Sequence, residues 1–173
     1  KWEVHDPVGG SQVAYLAATT NGERVYLSRS LVDADTVITV GTVGFDPVLG
    51  YSGTSSIFYP GLSTTETFAR FQGEGHAELG PDESRPMRQM IDEIAWLLGN
   101  QFTLQVVPTV AGRVSSILAG MNEPVLRAAV KQLNEGWRIR ADHRCKNVVV
   151  TVDAPDSGTR WSHVAAAIDV ARR

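Results

Sequence analysis

The chain has 173 residues, 43% of them apolar, and a formal net charge of −3. It is long enough for one domain, or one domain and part of another, and it has no basic surplus to neutralise phosphates, so nucleic acid is not an expected partner. Cys145 is the single cysteine, which excludes an intramolecular disulfide framework, and no apolar run approaches a membrane span, so a soluble cytoplasmic protein without a membrane partner is the expectation.

The start, KWEVHDP, carries no signal-peptide core. RVYLSR (24–29) alternates like a half-buried strand, and TVITVGTVG (36–44) is apolar on both faces, as a central strand of a covered sheet is. Next comes FDPVLGYSGTSSIFYPGL (45–62), with three glycines, two prolines, four Ser/Thr hydroxyls and four aromatics but no Lys, Arg, His or Cys. A short helix near 64–71 starts from Ser63 or Thr64, with Glu66 against its N-terminal dipole. GEGHAELG (73–80) matches a glycine fingerprint only loosely, its third glycine two places late, and reads as a surface loop.

Ser84 is the expected N-cap of a helix with Pro86 in its first turn; Met87, Met90, Ile91, Ile94, Leu97 and Leu98 recur at three and four before Gly99 stops it. FTLQVVPT (102–109) and RVSSILAG (113–120) are strands that form a hairpin or lie adjacent through Ala111-Gly112. A second helix starts at Asn122, runs through Val125, Ala128, Ala129 and Leu133, and ends at Gly136. KNVVVTVD (146–153) reads as a buried strand and 161–172 as a third helix. The order of elements predicts an α/β fold: a layered sheet, at least partly parallel, with helices on both faces. Residues 1–138 are assigned to one domain and 139–173 to the start of a second α/β domain. The missing initiator Met and a final helix with nothing after it lead to the expectation of a piece of a longer protein.

Loops leaving the carboxyl ends of central strands form the ligand crevice of such folds, and 45–62 is such a loop. It fails as a P-loop, since GYSGTSS has no lysine, and as a nucleophile elbow, since Thr54 stands where the last glycine belongs.

HDP at 5–7, GERVYLSRSLVDADTVITVG, GFDPVLGYSG…YPGLS and LAGMNEPV, in that order, resemble successive segments of the nickel-dependent lactate racemase family. The resemblance implies racemase or epimerase (isomerase) chemistry on a 2-hydroxy acid, with hydride passed to and from a nickel-bearing pyridinium cofactor, the nickel-pincer nucleotide. It further implies a loop lysine tethering that cofactor, a loop histidine on nickel, and other histidines moving the hydroxyl proton. Laid on the family loop, the metal-binding histidine's place is taken by Asp46 and the tethering lysine's by Ser56; a later family histidine falls near Gln72, with His76 the nearby substitute. No metal ligand is therefore assigned, and the cofactor of this chain is left unknown.

Two readings of the loop stand. In one, Asp46 is a general base or hard-metal ligand, while Ser52, Gly53, Thr54, Ser55 and Ser56 offer hydroxyls and N–H groups to a carboxylate or phosphate, so a small carboxylate-type ligand is the partner. In the other, Asp46 caps the turn before Pro47, and Tyr51, Phe58 and Tyr59 pack the loop onto the sheet. Correspondingly, the chain is either a racemase-like domain or a non-catalytic relative that binds a small anionic ligand or a protein partner; a hydrolase or transferase using Asp46 is a third option. His5 reads as a strand end near the crevice, His143 with Cys145 as a surface turn, His163 as part of the last helix, and Trp96, Trp137 and Trp161 as core.

Overall fold

The computed structural model describes residues 2–8, 12–72, 79–80, 82–138, 142–143, 145–152, 164, 167–168 and 171. Strands β1 (Val13–Ala18) and β2 (Arg24–Ser28) form an antiparallel hairpin; α1 (Arg29–Val32) follows. Val25 and Leu27 are buried while Arg24 and Tyr26 face out, the alternation legible in RVYLSR. A three-stranded sheet has the order β3 (Ile38–Thr42), β6 (Phe102–Pro108), β7 (Val114–Met121). β3 pairs parallel to β6, and β6 pairs antiparallel to β7, so the two strands flanking Ala111-Gly112 are a hairpin. The mixed α/β class and parallel pairing are those expected from the sequence.

Between β3 and β6 lie a small hairpin, β4 (Gly44–Asp46) with β5 (Gly50–Ser52), a 3-10 turn at Thr54–Ile57, α2 (Thr65–Gln72) and α3 (Pro86–Leu98). Helix α4 (Asn122–Trp137) follows β7. α3 ends where Gly99 turns left-handed at φ 74°, a conformation that costs glycine no Cβ clash. Its N-cap is Arg85 rather than Ser84, whose hydroxyl instead accepts from Gln89 Nε2 at 2.9 Å.

The core has two parts. Under α3, Ile91 and Ile94 pack with Val25, Leu27, Phe58 and Tyr59; under α4, Ala129 and Leu133 pack with Val43, Tyr51 and Val107. The sheet face beneath these helices is largely polar: Thr39 Oγ1 donates to Thr103 Oγ1 at 2.8 Å, and Gln105 Nε2 donates to the same oxygen at 2.7 Å. These mutual bonds offset the burial of the hydroxyls and of Gln105 Nε2, while Gln105 Oε1 is buried without a partner among the described residues.

Three expectations are corrected. β3 is an edge strand among the described residues, with Ile38 and Val40 exposed, because apolar alternation cannot tell a covered face from an uncovered one. Residues 147–152 form no strand and Val148–Val150 are exposed, since strand propensity needs a neighbouring edge to hydrogen-bond. Trp96 and Trp137 are exposed rather than core, Trp137 donating its Nε1–H to Pro108 O at 2.9 Å. Residues 164, 167–168 and 171 are helical, while Trp161, His163 and His76 lie outside the described residues.

Arg85 is fully buried. Its Nη1 donates to Pro47 O at 2.9 Å, and Nη2 donates to Leu79 O at 3.3 Å and Gly80 O at 3.1 Å, so one guanidinium gathers the tip of the β4–β5 hairpin and the approach to α3. Hydrogen bonds to a charged group contribute about 1.5–3 kcal/mol each. Arg85→Met is expected to lower the unfolding free energy by about 3 kcal/mol in urea titration; a change within error of zero would deny the guanidinium this role.

Candidate functional site

The stretch 45–62 is built up from its turns. Asp46 Oδ1 accepts from Val48 N and Leu49 N, both at 2.8 Å, closing the β4–β5 turn in the way short carboxylates do before proline. Val48 and Leu49 are thereby delivered to the core under α3. The hairpin is held by both neighbouring helices. From α3, Arg88 Nη2 donates to Tyr51 O at 2.6 Å; from α4, Asn134 Oδ1 accepts from Tyr51 Oη at 2.7 Å. Burial draws the Arg88 guanidinium below its ordinary value, opposed by the carboxylates of Asp92 and Asp46.

The chain then bends sharply, with Gly53 at φ 128° and Thr54 at φ 51°, and enters the 3-10 turn. A side chain at Gly53 would meet Gln105 Oε1 at 3.0 Å, so glycine is needed there for space as well as for φ. Ser56 Oγ accepts from Gly53 N at 2.8 Å and donates to Gly53 O at 3.0 Å. Ser52 Oγ donates to Gly44 O at 3.3 Å. Thr54 and Ser55 are buried, and Ser55 Oγ accepts from Asn122 Nδ2 at 3.0 Å.

Asp46 thus lies in the hairpin past the carboxyl end of β3. Ser55 reaches instead to the start of α4, beside Asn100, which precedes β6 at the other end of the sheet. Asp46 and Ser52 share the β4–β5 hairpin, Ser52 bonding back to Gly44, while Ser55 and Ser56 lie in the 3-10 turn that follows, and no side-chain hydrogen bond joins Asp46 to Ser52–Ser56 among the described residues. Neither of two surface depressions is lined by them. One, of about 240 Å³, is bordered by Thr19, Glu23, Gln89, Met90 and Glu93; the other is bordered by Tyr15, Arg24 and Tyr26.

Residues 58–63 fasten this assembly to the first hairpin. Ser63 Oγ donates to Tyr26 O at 2.7 Å, Ser28 N donates to Leu62 O at 2.7 Å, and His5 Nε2 bonds Ser63 O at 2.8 Å. Tyr59 Oη meets Glu23 Oε1 at 3.4 Å, and Arg70 bridges to both groups. Arg85, Arg88, Asn122 and Asn134 escaped the sequence reading, because each acts on a loop more than thirty positions away and no local pattern marks it. His143 and Cys145 are exposed.

These layers define a mixed α/β domain whose fold is shared with a solved lactate racemase structure. Residues 3–74 match the model of the lactate racemase N-terminal domain, and over that segment the chain is lactate-racemase-like. The lactate racemase apoprotein from Thermoanaerobacterium thermosaccharolyticum is similar to 76% of this chain with a TM-score of 0.67 and 19% identity, the match covering 33% of the racemase. A protein from Thermotoga maritima is similar with a TM-score of 0.57 and 20% identity, over 76% of this chain and 37% of its own. The chain therefore spans about a third of the length of the solved structures it matches. No curated protein matches it significantly.

The loop residues do not fit a tethered nickel cofactor. An amide-type tether needs an amine, whereas Ser56 offers a hydroxyl already closed onto Gly53. A nickel pincer site takes a nitrogen donor, and Asp46 supplies an oxygen whose partner atom holds two backbone amides. Among the described residues no group of three or more His, Cys, Asp or Glu is placed to hold a metal.

Two measurements check this geometry. Asp46→Ala is expected to cost about 1–2 kcal/mol through the two lost amide bonds, whereas Asp46→Asn, which keeps an acceptor oxygen, costs less than half as much. Equal losses would show that the charge, not the turn, matters. The Tyr59 phenol is pushed up to about 12 by burial and by Glu23. A raised phenol keeps its proton in the folded state after the unfolded chain has lost it near pH 10, so this stabilisation is complete below pH 10 and is lost as pH rises through about 12. Tyr59→Phe should flatten the fall in stability between pH 10 and about 12 in alkaline denaturation; an unchanged alkaline slope would remove Tyr59 from that role.

Proposed function

We propose that residues 1–138 serve as a lactate-racemase-like scaffold domain whose glycine-rich loop has exchanged nickel-pincer chemistry for a structural task. The observation that carries this reading is the use of the loop's polar atoms. Asp46 Oδ1 and the hydroxyls of Ser52, Ser55 and Ser56 each bond a group within the domain. A loop built to grip a ligand holds such atoms toward a cavity instead. In this reading the domain binds a small anionic ligand or a protein partner without turning it over.

A second reading is favoured by one atom. Asp46 Oδ2 makes no hydrogen bond among the described residues, which leaves it able to take the hydroxyl proton of a 2-hydroxy acid while a bound hydride-accepting cofactor takes the carbinol hydride and returns it to either face.

Nickel content, intact mass and lactate inversion of the purified protein separate the readings. The scaffold reading predicts nickel far below one per chain, a mass equal to the bare polypeptide and no inversion. Stoichiometric nickel with a covalent mass adduct would overturn it. Inversion that depends on a non-covalently bound hydride-accepting cofactor and that Asp46→Asn abolishes would establish the second reading.

A further inference from the structure

Two of the chain's three methionines, Met87 and Met90, lie on the side of α3 that meets the tip of the first hairpin, where they line the depression of about 240 Å³. Met87 is 2% exposed, and Met90 packs partly buried against the same core. Their thioether side chains give the depression a soft, adaptable apolar lining. The rest of it is polar: Asn21 and Glu23 from the hairpin, Gln89 and Glu93 from α3. The two carboxylates differ in how they are matched. Glu23 Oε1 takes the Arg70 guanidinium of α2. Glu93 meets no cation among the described residues, and its helical neighbours Gln89, Met90, Trp96 and Leu97 carry no charge. Glu93 Oε1 accepts from Thr20 N at 2.6 Å and from Thr20 Oγ1 at 2.7 Å, while Oε2 makes no hydrogen bond among the described residues. Tethering two neutral donors asks only for an acceptor oxygen, which glutamine also supplies, so the charge of Glu93 is surplus to that task.

We propose that this depression binds a small organic ammonium ion, with its N–H groups on Glu93 and its hydrocarbon on Met87 and Met90. The volume lies below the roughly 300–1,000 Å³ of sites for drug-sized ligands, so the occupant is only a few carbon atoms long. An anion would meet two carboxylates here, and a neutral apolar molecule would displace water from Glu93 without offering a counter-charge. A bare hard cation takes about six or more oxygens, and among the described residues no group of three His, Cys, Asp or Glu is placed to hold one. An alkylammonium ion answers both parts of the lining at once. The inference is independent of which reading of Asp46 holds.

NMR of the protein labelled at its methionine methyl carbons tests this, since Met121, exposed on β7 and outside the depression, is a built-in reference. The probe is n-butylammonium chloride. It is expected to shift the Met87 and Met90 methyl signals saturably and to leave Met121 in place. n-Butanol has the body without the charge and ammonium chloride the charge without the body; each is expected to bind at least about tenfold more weakly. Glu93→Gln keeps an acceptor for Thr20 and is expected to weaken butylammonium binding about tenfold. Gln89→Lys, an exposed change one turn away, offers Glu93 a partner of its own and is expected to weaken binding in the same direction; it decides the matter if Glu93→Gln does not fold. Three results would each overturn the proposal: no saturable shift at Met87 and Met90, equal shifts from ammonium chloride, or undiminished affinity in Glu93→Gln, or in Gln89→Lys where the first variant does not fold.

Discussion

Two arginines of one helix hold the hairpin on which the remainder of the loop is built. Arg85 Nη1 takes Pro47 O at the hairpin's tip and Arg88 Nη2 takes Tyr51 O on its second strand, one helical turn apart along α3. Burying a guanidinium is costly unless its donors meet acceptors; Pro47 O is a turn carbonyl and Tyr51 O lies on the short second strand of the hairpin. The same bonds therefore offset two costs, that of the buried cations and that of the turn. Val48 and Leu49 enter the α3 core as a result, and Tyr51 is presented to Asn134 of α4. A loop so held from two helices is an element of the core's architecture rather than a mobile lid.

From the hairpin onward each constraint sets the next. Gly53 and Thr54 turn the chain back under the helices, Ser56 closes the 3-10 turn, and Ser55 reaches Asn122 beside Asn100, whose Nδ2 donates to Val37 O at 2.9 Å. The loop thus spans from the carboxyl end of β3 back toward its amino end over the polar face of the sheet. On that path Asp46 and Ser56, which the sequence resemblance sets against a metal-binding imidazole and a tethering amine, each close a turn. Oxygen side chains make the short local bonds that stabilise turns, which long amines do poorly. The cost falls on chemistry, since neither atom gives a soft donor or a covalent anchor.

Much of the fold was legible in local pattern. α3 and α4 show the three-and-four recurrence that follows from helical geometry, and β2, β6 and β7 show strand alternation bounded by turn residues. β1 went unread because Val13–Ala18 mixes small and apolar residues without a clean period. The edge position of β3 and the exposure of Val148–Val150 were not legible, because an apolar run does not record whether a neighbouring strand or helix is there to pair with or cover it. At the loop, sequence supplied both readings of Asp46 and could not choose, since an Asx turn and a general base ask for the same residue. The arginines and asparagines that hold the loop act across distant positions and left no periodic trace.

Amide hydrogen exchange across residues 44–63, followed by NMR beside the amides of β6, tests most directly whether this stretch is core architecture. Val48, Leu49, Gly53 and Ser56 donate inward, to Asp46 Oδ1, Ser56 Oγ and Gly53 O. The account predicts that these four amides exchange as slowly as those of β6, in one cooperative unit with it. Exchange at the rate of an open loop, while β6 remains protected, would contradict it.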